Sequence, residues 1–220
     1  MDHIVAFFKD GGPFMLVNIS FLVLGMGVVL ERVIVIFFIL PINEKTFTSS
    51  VEKYLKAGNI DAAAKACQAA PRPALSRATR TLLGLLRNGY ESPMMAVEEA
   101  MMDVRGLIMT RVSWLWAIAN IATLVGLIGT VTGLINAFQA ISAVAADQRA
   151  AALSKGISEA MNNTAFGLSI AVLCIIGHLI VSSKAASITE KSEHALFHFM
   201  NVHAQWRKGP RAADAAAPKA

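Results

Sequence analysis

"GLIGTVTGLINAF", Gly126 to Phe138, lies inside the apolar run Val112 to Val144, yet holds three glycines, two threonines and an asparagine. About 20 apolar residues at 1.5 Å rise cross a ~30 Å hydrocarbon core, so the run is long enough to span a bilayer. A helix that meets lipid on every side gains nothing from hydroxyls or absent side chains. This one must turn a face to something else. At about 100° per residue, Ala119, Ala122, Thr123, Gly126, Gly129, Thr130, Gly133, Ala137 and Ala140 share one arc of about 120°. Leu124, Leu127, Ile128, Val131, Leu134, Ile135 and Phe138 take the opposite side. Thr132 and Asn136 lie off the small face, at about 240° and 280° from Gly126.

Two further apolar runs flank this one, Phe14 to Leu40 and Ile157 to Val181. The first is broken by Asn18, Ser20 and the Glu31–Arg32 pair. It is longer than a signal-peptide core, only Lys9 precedes it among basic residues, and no A-x-A cleavage site follows. Hydrophobic residues make up 55% of the 220-residue chain and charged residues 16%, against about a quarter in soluble domains. From Pro41 to Arg111 there are ten Lys or Arg, and six follow Val181, whereas residues 145–156 hold only Arg149 and Lys155. Basic residues stay on the cytoplasmic side, so the expected N-terminus is outside and the C-terminus inside. The net charge of +5 thus has a topological origin, and basic residues do not cluster with aromatics as a nucleic-acid surface requires.

The expected fold is an all-α integral membrane protein with three transmembrane helices and long cytoplasmic helical extensions. Its parts are a short outer segment (1–13), a first span (14–40), a cytoplasmic helical region (41–111) and a second span (112–144). A short outer loop (145–156), a third span (157–181), a cytoplasmic C-terminal helix (182–208) and a disordered tail (209–220) complete it. Pro41 stops the first helix. Gly58 ends "EKTFTSSVEKYLKAGN", Asn59 caps "IDAAAKACQAA", Pro71 and Pro73 stop that helix, and Gly89 ends "ALSRATRTLLGLLRNG". Ser92–Pro93 starts another helix, and nothing breaks the pattern from Met94 to about Ala145.

The third span repeats the small face: Gly156, Ala160, Thr164, Gly167, Ala171, Cys174 and His178 align, with Asn163 at the edge. Two explanations stand. Gly129-x-x-x-Gly133 is a small-x-x-x-small pattern that lets helix backbones approach, and threonines in spans bond back to their own carbonyls. Alternatively, Glu159, Asn162, Asn163, Thr130, Thr164 and His178 form a polar set that lines an interior path. A carboxylate inside a span costs at least ~2.5 kcal/mol and faces a cavity or partner, unless Glu159 merely sits at the helix N-terminus and meets its dipole. Elsewhere the chemistry is bland. His194, His198 and His203 lack a carboxylate or cysteine to complete a metal site, and Cys67 and Cys174 define no disulfide framework. No nucleotide loop, nucleophile triad or metal centre is present, so neither an enzyme nor a cofactor is expected.

"NIATLVGLIGTVTGLINAF" and "GISEAMNNTAFGLSIAV" resemble the paired signature of the MotA/TolQ/ExbB proton-channel family, with typical forms "APLLGLLGTVxGMIxAF" and "GIxEALxTTAxGLxVAIP". "GGPFM" and "LER" fit its ExbB and TolQ branch. The resemblance implies a homo-oligomer, a pentamer, in the bacterial inner membrane. It would surround a dimer of an ExbD-, TolR- or MotB-like single-span partner with one intramembrane aspartate. Protons are the implied coupling ion, and an envelope-spanning effector is an implied further partner. Thr130, Thr164 and Glu159 match the family's pathway positions, with Asn163 and Thr123 beside them. Gly126, Gly129, Gly133, Gly167 and Ala171 would pack helices. Proline is usual where Thr123 and Leu173 stand, and threonine where Asn163 stands, so kinking of these spans is not implied. Within the family, outer-membrane transport, envelope maintenance and gliding motility remain alternatives; outside it, a non-conducting scaffold joined by glycine faces does, and an independent transporter lacks the repeated broken helices.

Overall fold

The computed structural model describes residues 12–40, 43–69, 74–89 and 92–209. Among the described residues the secondary structure is helical throughout. In chain order the helices are α1 (Gly12–Ile34), α2 (Glu44–Lys56), α3 (Ile60–Gln68), α4 (Ala74–Asn88), α5 (Pro93–Met109), α6 (Val112–Ala143) and α7 (Arg149–Lys208). A five-residue π-helical segment, Val35–Ile39, extends α1, and Leu40 N donates to Val35 O at 2.9 Å. Three stretches are long and apolar enough to cross a membrane: Pro13–Ile39, Pro93–Ala143 and the stretch within Arg149–Lys208. The chain is an all-α membrane protein. Pro41, Pro71, Pro73, the outer segment before Gly12 and the tail after Gly209 lie outside the described residues.

The chain divides into two compact units, one of residues 1–32 and 111–181, the other of 33–110 and 182–220. In the first, Val28, Leu115, Ile118, Ala119, Ala122, Ile170, Ala171 and Cys174 form a buried core, with Phe21, Leu22 and Phe166 against it. Its small members exist for close approach. A Cβ on Gly25 would lie 2.7 Å from Cys174 Sγ, and one on Gly177 2.7 Å from Val29 Cγ2. Leu124, Leu127, Ile128, Val131 and Phe138 remain exposed, as lipid-facing residues must.

The second unit is a set of short amphipathic helices around Val51, Leu55, Leu82, Leu83, Leu196 and Phe199, all fully buried or nearly so. Asn43 caps α2 by accepting from Thr46 N at 3.4 Å, and Asn59 caps α3 by accepting from Ala62 N at 2.9 Å. Gly58 takes φ +71° after α2, a left-handed turn that glycine makes without steric cost. Cys67 and Cys174 are free and buried, and burial pushes the Cys67 thiol up to about 11.

Two boundaries differ from expectation. The helix expected to run unbroken from Met94 to about Ala145 stops at Met109, and α6 begins at Val112 after Arg111 adopts φ 58°. No glycine or proline marks this break. Arg111 is held there by side-chain partners: Nη1 donates to Glu31 Oε2 at 2.7 Å, and the guanidinium lies 5.8 Å from the Trp114 ring centre. The second difference is the expected outer loop at 145–156. α7 already starts at Arg149, because alanine-rich "RAAAL" favours helix, and it continues through position 181 to Lys208 as one helix.

Gly167 and Gly27 give a paired test. A Cβ on Gly167 would sit 2.6 Å from Ala122 O, whereas one on Gly27 meets nothing within 4 Å. Gly167→Ala is expected to cost about 1–3 kcal/mol in unfolding measurements, and Gly27→Ala to be neutral or slightly stabilising. A second check is maleimide labelling at pH 8: Cys67 should stay unreacted in the folded protein and react once denatured. Rapid labelling of the native chain would contradict its burial.

Candidate functional site

α6 and α7 pair antiparallel through their small faces. Ala122 stands opposite Gly167, Gly126 opposite Thr164, Gly129 opposite Asn163, Gly133 opposite Ala160 and Ala137 opposite Gly156. A Cβ on Gly126 would lie 3.2 Å from Asn163 O and 3.3 Å from Thr164 Cα, so backbone meets backbone. Gly126, Gly129, Gly133 and Ala137 are all buried in this seam. The small faces therefore mate with each other inside one chain. Alignment on one face did not reveal this, because it says nothing about which partner covers that face.

At one edge of the seam, both half-buried, Thr130 and Thr164 meet. Thr130 Oγ1 lies 3.1 Å from Gly126 O, four residues back, and Thr164 Oγ1 lies 3.0 Å from the same carbonyl. The two hydroxyls also hydrogen-bond each other. Three oxygens thus share three close contacts but only two hydroxyl hydrogens, so one contact always lacks a donor. The cluster has lone pairs to spare for a donor from outside, and its internal bonds can reverse direction. Neither hydroxyl ionises near neutral pH, so the cluster can exchange hydrogen bonds without changing its charge.

The other expected pathway residues are placed differently. Thr123 is half-buried and donates to Ala119 O at 3.0 Å. It lies seven residues, about 10.5 Å along the axis, from Thr130 and stands apart from the cluster. Asn163 was expected on the path, but is enclosed against Gly129 and only 2% exposed. Its Oδ1 has no hydrogen-bond partner among the described residues. A side chain so enclosed by α6 has no open face to contribute. Ala171 sits in the apolar core with Ala119 and Ala122.

Glu159 is half-buried and has no ion-pair partner among the described residues. α7 begins ten residues earlier, at Arg149. The helix dipole acts within the first turn, so it does not stabilise this carboxylate. Glu159 lies five residues, about 7.5 Å along the axis, from Thr164.

His178 is a packing residue: its Nδ1 lies 3.0 Å from Val112 O and its ring tilts against Trp116 at 6.1 Å. Among the described residues no group of three or more His, Cys, Asp or Glu is placed to hold a metal. His198 Nε2 instead lies 3.3 Å from Glu52 Oε2, and the Glu52 carboxyl is held below its ordinary value by Lys56 and then His198. A charged clamp at the start of α6 was not expected from the sequence. Glu31 accepts from Arg32 Nη2 at 2.8 Å and from Arg111 Nη1 at 2.7 Å, joining α1 to the residue that starts α6. Its signal was a Glu–Arg pair inside an apolar run, with an arginine at the mouth of the next.

Three apolar helices, a backbone-to-backbone seam and a hydroxyl cluster at its edge make up an integral membrane protein. Residues 74–194, more than half of the chain, match the MotA/TolQ/ExbB proton channel family, and the chain belongs to it. A 92-residue stretch is 37% identical to biopolymer transport protein exbB1 of Vibrio cholerae. That stretch covers 42% of this chain and 39% of the Vibrio protein's length.

Because no described residue pairs with Glu159, Glu159→Gln should leave thermal stability unchanged or raise it. A loss above about 1 kcal/mol would mean that the carboxylate serves the fold of the single chain.

Proposed function

We propose that this chain is the pentamer-forming subunit of an inner-membrane motor driven by the proton motive force. Five copies surround the spans of a dimeric, ExbD- or TolR-like partner whose single span carries an aspartate. Protons are the coupling ion, and an envelope-spanning effector receives the work. The name of the Vibrio relative, a biopolymer transport protein, supports transport as that work. The termini lie as the basic residues direct, N-terminus outside and C-terminus in the cytoplasm.

The observation that carries this reading is the cluster of Thr130, Thr164 and Gly126 O, two hydroxyl hydrogens among three oxygens at the edge of a packed seam. In the assembly that edge faces the partner's aspartate. Its spare acceptor takes the hydrogen of a protonated carboxyl or a water. When the carboxyl loses its proton, a hydroxyl turns outward and donates instead. One small group thus serves both protonation states without itself becoming charged. Glu159, about 7.5 Å from Thr164 toward the start of α7, adds a carboxyl group beside the path. Thr123 lies on the same half-buried flank, and Asn163 packs within the seam.

A second reading, a non-conducting scaffold, draws support from the glycines, whose work is helix packing within the chain. Proton flux separates the two. In vesicles that contain this chain and its partner, Thr130→Val/Thr164→Val should lower partner-dependent proton flux at least tenfold while the oligomer persists. Normal flux in that variant would overturn the motor reading. Absence of flux from the unmodified complex would leave the scaffold standing.

A further inference from the structure

The second unit carries a half-open cavity of about 120 Å³ whose lining mixes cations, hydroxyls and apolar carbon. Lys184, Ser187, Lys191 and Ser192 reach it from one face of α7, and Leu40 and Glu44 close the far side. Lys184 Nζ lies 5.7 Å from the Phe37 ring centre and has no ion-pair partner among the described residues. Lys191 Nζ is 4.0 Å from Glu44 Oε2, the outer limit of an ion pair, and 62% exposed. Two cations and one anion leave the cavity net positive. Ser192 is only 2% exposed, and neither it nor Ser187 hydrogen-bonds through its hydroxyl to another described residue. Two free hydroxyl donors beside two ammonium groups match the oxygens of a phosphate.

The position of these residues in the chain says where such a phosphate comes from. Leu40 closes the first apolar run, and Lys184 is the first charge after the third. Both therefore come from the level at which apolar sequence gives way to polar, the depth of lipid headgroups. Phe38, 78% exposed, and Phe37 beside Lys184 offer apolar surface to the glycerol and the start of an acyl chain. We propose that this cavity binds the phosphate headgroup of an anionic phospholipid. Lys184, Ser187, Ser192 and Lys191 are the donors, and Glu44 opposes binding from the far wall. Headgroup binding here does not depend on the proposed function.

The test uses the full chain in detergent, titrated with phosphatidylglycerol or phosphatidylcholine, with bound lipid counted by native mass spectrometry. Phosphatidylglycerol should bind at least about fivefold more tightly. Lys184→Gln should weaken it about fivefold, as expected for one lysine at a headgroup. Lys184→Arg should retain binding, and Glu44→Gln should strengthen it, an outcome that general destabilisation does not produce. Inorganic phosphate at millimolar concentration should not displace the lipid. Equal affinity for the two lipids, or indifference to both Lys184→Gln and Glu44→Gln, would overturn the proposal. Displacement by phosphate alone would overturn it in favour of a free-anion site.

Discussion

Everything else in the membrane unit depends on how closely α6 and α7 approach. Lipid provides no hydrophobic drive for one apolar helix to bind another, so their association rests on dispersion at short range. That range exists only because Gly126, Gly129, Gly133, Gly156 and Gly167 leave out their side chains where the opposite helix passes. The same approach brings Thr164 Oγ1 within 3.0 Å of the carbonyl of Gly126. Without that contact each threonine would be an ordinary helix residue bonded back to its own turn. The glycines are thus packing residues whose consequence is chemical.

The two ends of the α6 seam are secured differently. Near its start, Glu31 joins α1 to Arg111, and His178 reaches Val112 O from α7. At its other end only Val144 to Gln148 separate the paired helices, so the connection is short. Polar contacts hold the start of α6, small residues its middle, and chain connectivity its end. Glu159, a carboxylate with no ion-pair partner among the described residues, and the paired hydroxyls lie beside this packed middle. Such groups are most useful where something outside the chain completes them.

Much of the fold was legible because its signals are periodic. Three apolar runs marked the spans, and Asn59, Gly58 and Gly89 marked helix ends by local chemistry that needs no tertiary context. The break at Arg111 was not legible: its left-handed conformation depends on Glu31, eighty residues away in the chain. Nor was the early start of α7, since alanines beside a polar loop fit either state. For the site, the helical wheel placed Thr130 and the glycines on one face but carried no information on what covers it. Asn163 is the clearest case, a polar side chain at the edge of that face which the opposing helix encloses.

The central claim is that Thr130 and Thr164 act as one unit because the glycine seam puts them in contact. The most direct measurement is a double-mutant cycle on partner-dependent proton flux, with Thr130→Val, Thr164→Val and both together. If the hydroxyls share their hydrogens, either single substitution should cost nearly as much as the pair, a coupling well above about 0.5 kcal/mol. Additive losses would contradict the account, since each threonine would then act alone.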